Sequence, residues 1–178
     1  MQHTVRHTIE TDVDSCWRLF LDSEFNHAMA RHFGTVFEVL EERTDASGVL
    51  YRRTEHRLAE QVELPPLATK MFGDRLPALA KKLFGDGAGT EIASFDPVAR
   101  KCSAQYAPKI GADKFRVNTE VWVEPLGVRR CERVLVTKNV VKIWGLGRAI
   151  EGFIEKQQRD AQAKIVDFFN GWIRDKGL

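Results

Sequence analysis

The chain has 178 residues, 43% of them hydrophobic and 29% charged, with 27 basic against 25 acidic side chains for a net charge of +2. Those values describe one soluble globular domain, residues 1–178, able to bury about 70% of its unfolded surface. They exclude nucleic acid as a partner, because no Lys/Arg-rich tract occurs, and a membrane-spanning helix, because no run reaches about 18 apolar residues.

The chain opens on an alternating segment, His3 to Glu10, in which Val5 and Ile9 suit an edge strand. Met1 to His7 has no apolar core, so no signal peptide is expected there. Thr11 or Asp12 can cap the next helix, whose face carries Val13, Cys16, Trp17, Phe20 and Leu21. Ser23 is expected to open a second helical piece, Glu24 to His32, which Gly34 ends. Thr35 to Glu42 and Val49 to Glu60 form a hairpin about the turn residues Asp45-Ala46-Ser47-Gly48. Further strands are expected at Thr90 to Phe95, Lys101 to Tyr106, Phe115 to Glu124 and Cys131 to Ile143. Short links at Asp96-Pro97, Pro108 to Asp113 and Pro125-Leu126-Gly127 make them antiparallel neighbours. After Trp144-Gly145-Leu146-Gly147, one amphipathic helix runs from Arg148 to Asp175, about 42 Å. Its apolar positions, Ile150, Phe153, Ile154, Ala161, Ile165, Phe168, Phe169, Trp172 and Ile173, form one stripe. A curved sheet gripping so long a helix leaves space between them for a ligand.

One stretch departs from this plan. Residues 63–89 interrupt the sheet with Leu64-Pro65-Pro66-Leu67, two short amphipathic pieces (68–72 and 76–84) and glycines at 73, 85, 87 and 89. Lys70, Arg75, Lys81 and Lys82 alternate there with Leu67, Met71, Phe72, Leu76, Leu79, Leu83 and Phe84. Three readings stand: a fixed cover over the sheet end, a glycine-hinged lid, or a peripheral membrane contact through 64–84.

The order strand, two helices, antiparallel sheet and long C-terminal helix resembles the START-like (helix-grip, SRPBCC) superfamily along the whole chain. Asp45-Ala46-Ser47-Gly48-Val49-Leu50-Tyr51-Arg52-Arg53, the Leu64-Pro65-Pro66 segment and Glu91-Ile92-Ala93-Ser94-Phe95-Asp96-Pro97 carry the likeness. The strongest local match is Gly145-Leu146-Gly147-Arg148-Ala149-Ile150-Glu151-Gly152-Phe153-Ile154. Two branches look similar: uncharacterised bacterial START-like proteins and the PRELI-like lipid-transfer family. The resemblance implies an α+β helix-grip fold and the binding or transfer of a lipid-like molecule between sheet and helix.

Signatures of chemistry are absent. There is no G-x-S-x-G and no H-E-x-x-H, and Glu24, His27 and His32 fit a solvated helix face better than a metal site. Gly145-Leu146-Gly147 lacks the third glycine and the βαβ context of a dinucleotide loop. No catalytic residue, metal or cofactor is therefore assigned. Cys16, Cys102 and Cys131 read as reduced packing residues of a cytoplasmic protein, with Cys16 inert on an apolar helix face.

Cations inside strands are the more informative signal. Arg52, Arg116, Lys138 and Lys142 are expected to face a cavity and meet an acidic ligand head, Lys138 and Lys142 on the same side as Trp144. Trp17, Phe72, Phe84, Tyr106, Trp122, Trp144, Phe153 and Ile154 would supply its apolar walls. The plainer alternative pairs the cations with Glu38, Glu55, Glu120 and Glu132 on the solvent side. Two rival functions remain. A polyketide cyclase or aromatase-like enzyme would need Tyr51, Tyr106 and His56 to converge. An interaction module would use the long helix or the basic insertion.

Overall fold

The computed structural model describes residues 2–58, 88–142 and 147–178. Its elements are β1 (Gln2–Ile9), α1 (Val13–Leu21), α2 (Ser23–His32), β2 (Thr35–Thr44), β3 (Leu50–Leu58), β4 (Gly89–Asp96), β5 (Lys101–Pro108), β6 (Phe115–Gly127), β7 (Arg130–Val141) and α3 (Gly147–Lys176). The insertion, apart from Ala88 and Gly89, lies outside the described residues, as does Trp144.

Local chemistry explains the boundaries. Asp12 caps α1 by accepting from the Ser15 N–H at 2.9 Å. Asp22, rather than the expected Ser23, caps α2, accepting from the Phe25 N–H at 2.9 Å. Its carboxylate satisfies the free first-turn donors from one position upstream. Gly34 follows α2 with φ +63°, a backbone conformation that costs glycine little. In the β2–β3 turn, Asp45 Oδ1 accepts from the Ser47 and Val49 N–H groups at 2.9 and 3.1 Å. β6 runs through the expected Pro125-Leu126-Gly127 link, because a register shift there absorbs the proline, and the turn falls at Val128 and Arg129.

All seven strands form one curved antiparallel sheet in the order β1-β7-β6-β5-β4-β3-β2. Since β1 and β2 occupy opposite edges, α1 and α2 must cross the sheet to join them. Both lie with α3 on one face, α3 over β1 and β7, α1 over β6 and β7, and α2 beside β2. The register assigns the faces. On the helix side β7 presents Cys131, Arg133, Leu135, Thr137 and Asn139, opposite Ile9, His7, Val5 and His3 of β1 and Val123, Val121, Thr119 and Val117 of β6.

Two apolar clusters form the core. Ile9, Cys16, Leu19, Phe25, Val123, Cys131, Phe169 and Ile173 make the larger, with the Phe25 and Phe169 ring centroids 4.6 Å apart edge to face. The second joins Trp17 to Ala93, Phe95, Cys102, Val121 and Leu135. Asn170 fixes α3 to the end of β1, accepting from the Glu10 N–H at 3.0 Å.

Candidate functional site

The register divides the expected lining. Trp17, Arg52 and Tyr106 belong to the helix side: Trp17 packs in the second cluster, and Arg52 and Tyr106 stand on β3 and β5 in phase with Ala93 and Val117. Ile154 is half-buried on α3. Phe72, Phe84 and Trp144 lie outside the described residues, as does the side chain of Phe153.

Arg116, Trp122, Lys138 and Lys142 need correction, because the sheet places them on its outer side. Trp122 donates its Nε1–H to Glu124 at 2.7 Å, and Lys138 is exposed. Arg116 and Lys142 border an outer-face depression of about 160 Å³ with Gln105, Asp113, Lys114 and Asn118. That is well below the roughly 300–1,000 Å³ usual for ligand pockets. That outer side is not bare: Val134 is fully buried on it, between Arg6 of β1 and Trp122 of β6. Three of the acids named as their partners lie on that side but meet other cations: Lys101 pairs with Glu120 at 3.0 Å, Lys109 with Glu55 at 2.7 Å, and Arg6 with Glu132.

The helix side instead carries a polar row that the sequence reading missed, made of His3 and His7 from β1 and Arg133, Thr137 and Asn139 from β7. Asn139 and Gln158 of α3 exchange amide hydrogen bonds at 2.8 and 3.2 Å. Arg133 Nη1 donates to Gln162 Oε1 at 2.8 Å. Its guanidinium carbon lies 5.7 Å from the Phe169 ring and 6.0 Å from that of Phe20, so the charge sits where the two apolar clusters meet. Burial pushes the Arg133 pKa down to about 10, which leaves it charged at neutral pH. Burial also pulls His7 below its ordinary value, and the Arg133 charge adds to the effect. His3 is lowered by burial as well, with Glu155 opposing and Arg159 assisting. The odd numbering shared by Cys131, Arg133, Leu135, Thr137 and Asn139 was the available signal, readable only once the pairing of β7 with β1 and β6 is known.

A second polar group lies toward β3 and β4. His56 Nε2 is 3.7 Å from Glu91 Oε1. The His56 ring lies between Phe37, at 6.2 Å, and Tyr106, at 6.3 Å. Gly89 belongs beneath Tyr106, because a Cβ there would overlap the ring. His56 and Tyr106 thus meet, whereas Tyr51 is on the outer side under Arg43. Arg52 donates to Glu42 at 2.6 Å.

All three cysteines are free and buried. The contact with Cys131 and burial push the Cys16 thiol up, and burial takes Cys102 to about 12, so neither is a ready thiolate. Among the described residues no group of His, Cys, Asp or Glu is placed to hold a metal ion, and no helix is long and apolar enough to cross a membrane.

A family model described as "Protein of unknown function (DUF2505)" matches residues 4–173. No curated protein matches the chain significantly in sequence. Solved structures do match in fold. TTHA0849 from Thermus thermophilus superposes with a TM-score of 0.65 at 12% identity, over 100% of both chains. The Zhui aromatase/cyclase from Streptomyces sp. R1128 gives 0.61 at 15% identity, over 100% of this chain and 97% of that one. A START superfamily protein from Mycobacterium smegmatis gives 0.57 at 11% identity, over 98% and 97%. At such identities the likeness establishes the START-like fold and nothing finer.

Proposed function

The chain belongs to that DUF2505 family, and we propose that it binds, and can transfer, one lipophilic small molecule with an acidic head, held between the sheet and α3 in the cytoplasm. The observation that supports this reading is the polar row on the helix side of the sheet. Nitrogens of His3, His7 and Arg133 are buried there without hydrogen-bond partners among the described residues. Leaving such a group unpaired costs about 1–3 kcal/mol, so a packed core would replace it with an apolar side chain. A bound polar head would recover that cost. The ligand's apolar part contributes the rest: burying about 300 Å² gives roughly 7 kcal/mol before ordering costs, against the roughly 8 kcal/mol of micromolar binding. Residues 63–89 would gate entry, and their basic, apolar 64–84 portion would touch membranes on delivery.

Native mass spectrometry of freshly purified protein, followed by extraction, tests the proposal. A stoichiometric amphipathic molecule is expected. A clean apo mass, with no uptake from a mixed lipid and fatty-acid pool, would reject it.

The approach of His56, Glu91 and Tyr106 favours a second reading, an enzyme working in the same space. A carboxylate beside an imidazole can relay a proton, and the Zhui aromatase/cyclase has the same fold. Turnover of a polyketide-like substrate, lost in Tyr106→Phe and His56→Asn, would establish that reading over simple carriage.

A further inference from the structure

Arg133 departs from the usual fate of buried charges, which are paired almost without exception. It is 6% exposed, and Gln162 Oε1, a neutral acceptor, is its hydrogen-bond partner among the described residues. Arg52, which shares its side of the sheet, has the Glu42 carboxylate. Glu155 of α3, whose charge acts on His3, is engaged by Arg159 at 2.8 Å. Of five buried side-chain nitrogens without a partner among the described residues, four belong to this row: both ring nitrogens of His3, Nδ1 of His7 and Nε of Arg133. The unpaired nitrogens therefore converge instead of scattering over the sheet. With both histidines held toward neutrality by burial, the row carries a single positive charge.

Granted the ligand-binding role proposed above, on which this rests, we infer that Arg133 seats the ligand's head group and that this head is a single carboxylate, turned inward to the floor between β1, β7 and α3. A guanidinium presents two parallel N–H donors to one carboxylate, which matches both its charge and its planar shape. A phosphate monoester brings nearly two charges and three acceptor oxygens. The second charge would meet no free cation there: the groups in contact with Arg133, Gln162, Phe20 and Phe169, are neutral, and Arg159, whose charge reaches His3, is held by Glu155. Phe20 and Phe169 flank the guanidinium and exclude water, which strengthens the pair.

Fluorescence binding of a long-chain polyene fatty acid, its methyl ester and the matching alkyl phosphate, to the whole protein and to Arg133→Met, is the test. The wild type should bind the acid at least about tenfold more tightly than the ester, and more tightly than the phosphate. Arg133→Met should bind acid and ester alike, the preference for the acid having gone. Equal binding of acid and ester by the wild type would overturn the inference and leave the carrier reading intact. So would tighter binding of the phosphate, or an acid preference that persists in Arg133→Met. If none of the three probes binds, the carrier reading itself fails for this ligand class. Should the Met variant not fold, the Nε–Hε resonance of Arg133 in ¹⁵N-labelled wild type decides instead: it must move with the acid and stay fixed with the ester.

Discussion

The two ends of the helix side of this sheet are built from the same strands and differ in what fills them. Toward the C-terminal turns of α3, Ile9, Val123 and Cys131 meet Phe25, Phe169 and Ile173 in contact without polar groups. Toward its middle turns, His3, Thr137 and Asn139 occupy the equivalent positions further along β1 and β7, where Asn139 meets Gln158. Register, strand pairing and helix continue unchanged from one end to the other, and only chemistry changes. The apolar end supplies stability, and the polar end forgoes part of it.

Perturbations should separate the two ends. Phe169→Ala removes the ring that contacts both Phe25 and Phe20, and should cost about 3–5 kcal/mol in urea denaturation. A loss below about 1 kcal/mol would mean that the apolar end is not the main support. Asn139→Leu should cost about 1–3 kcal/mol because Gln158 keeps its amide without a mate. The double change with Gln158→Leu should recover most of that loss, whereas a double mutant as unstable as the single would show that the polar end is itself structural. Asp12→Ala, at the cap of α1, should cost about 1 kcal/mol, read as a lowered thermal midpoint.

Protonation is the mildest probe. His3 and His7 have folded pKa values below the ordinary 6.5, so the unfolded chain binds protons first as pH falls. Their contribution to stability is complete above about pH 6.5 and is lost as pH falls through their lowered folded values. Urea midpoints measured from about pH 7.5 down to about pH 5 should decline accordingly, and His7→Gln should flatten the decline. An unchanged slope in that variant would exclude His7 as a source.

The fold was legible because each element carries its own signal: the apolar spacing of α1 and α3, the Asp45–Gly48 turn, and prolines and glycines at the strand ends. The site was less so. Lys138 and Arg133 are both cations in one strand; alternation puts them on opposite faces, and only the pairing with β1 and β6 says which of the two faces meets the helices. Burial alone does not tell the two faces of β7 apart, because on the outer side Val134 is itself covered, between Arg6 and Trp122, while Lys138 is exposed. Likewise, His56 and Glu91 approach through a strand pairing whose connecting segment is the 63–89 insertion.

The strand order also governs how the chain must fold. Gln2 pairs with Lys138 and Ile9 with Cys131, so the first strand finds its partner only after every other strand has been made. Closing so large a loop costs entropy before any contact rewards it, and high contact order slows folding. By chain order, β1 and α3 can close over β7 only after β2 to β6 have been made, and both contribute to covering Arg133: His7 from β1, Gln162 and Phe169 from α3.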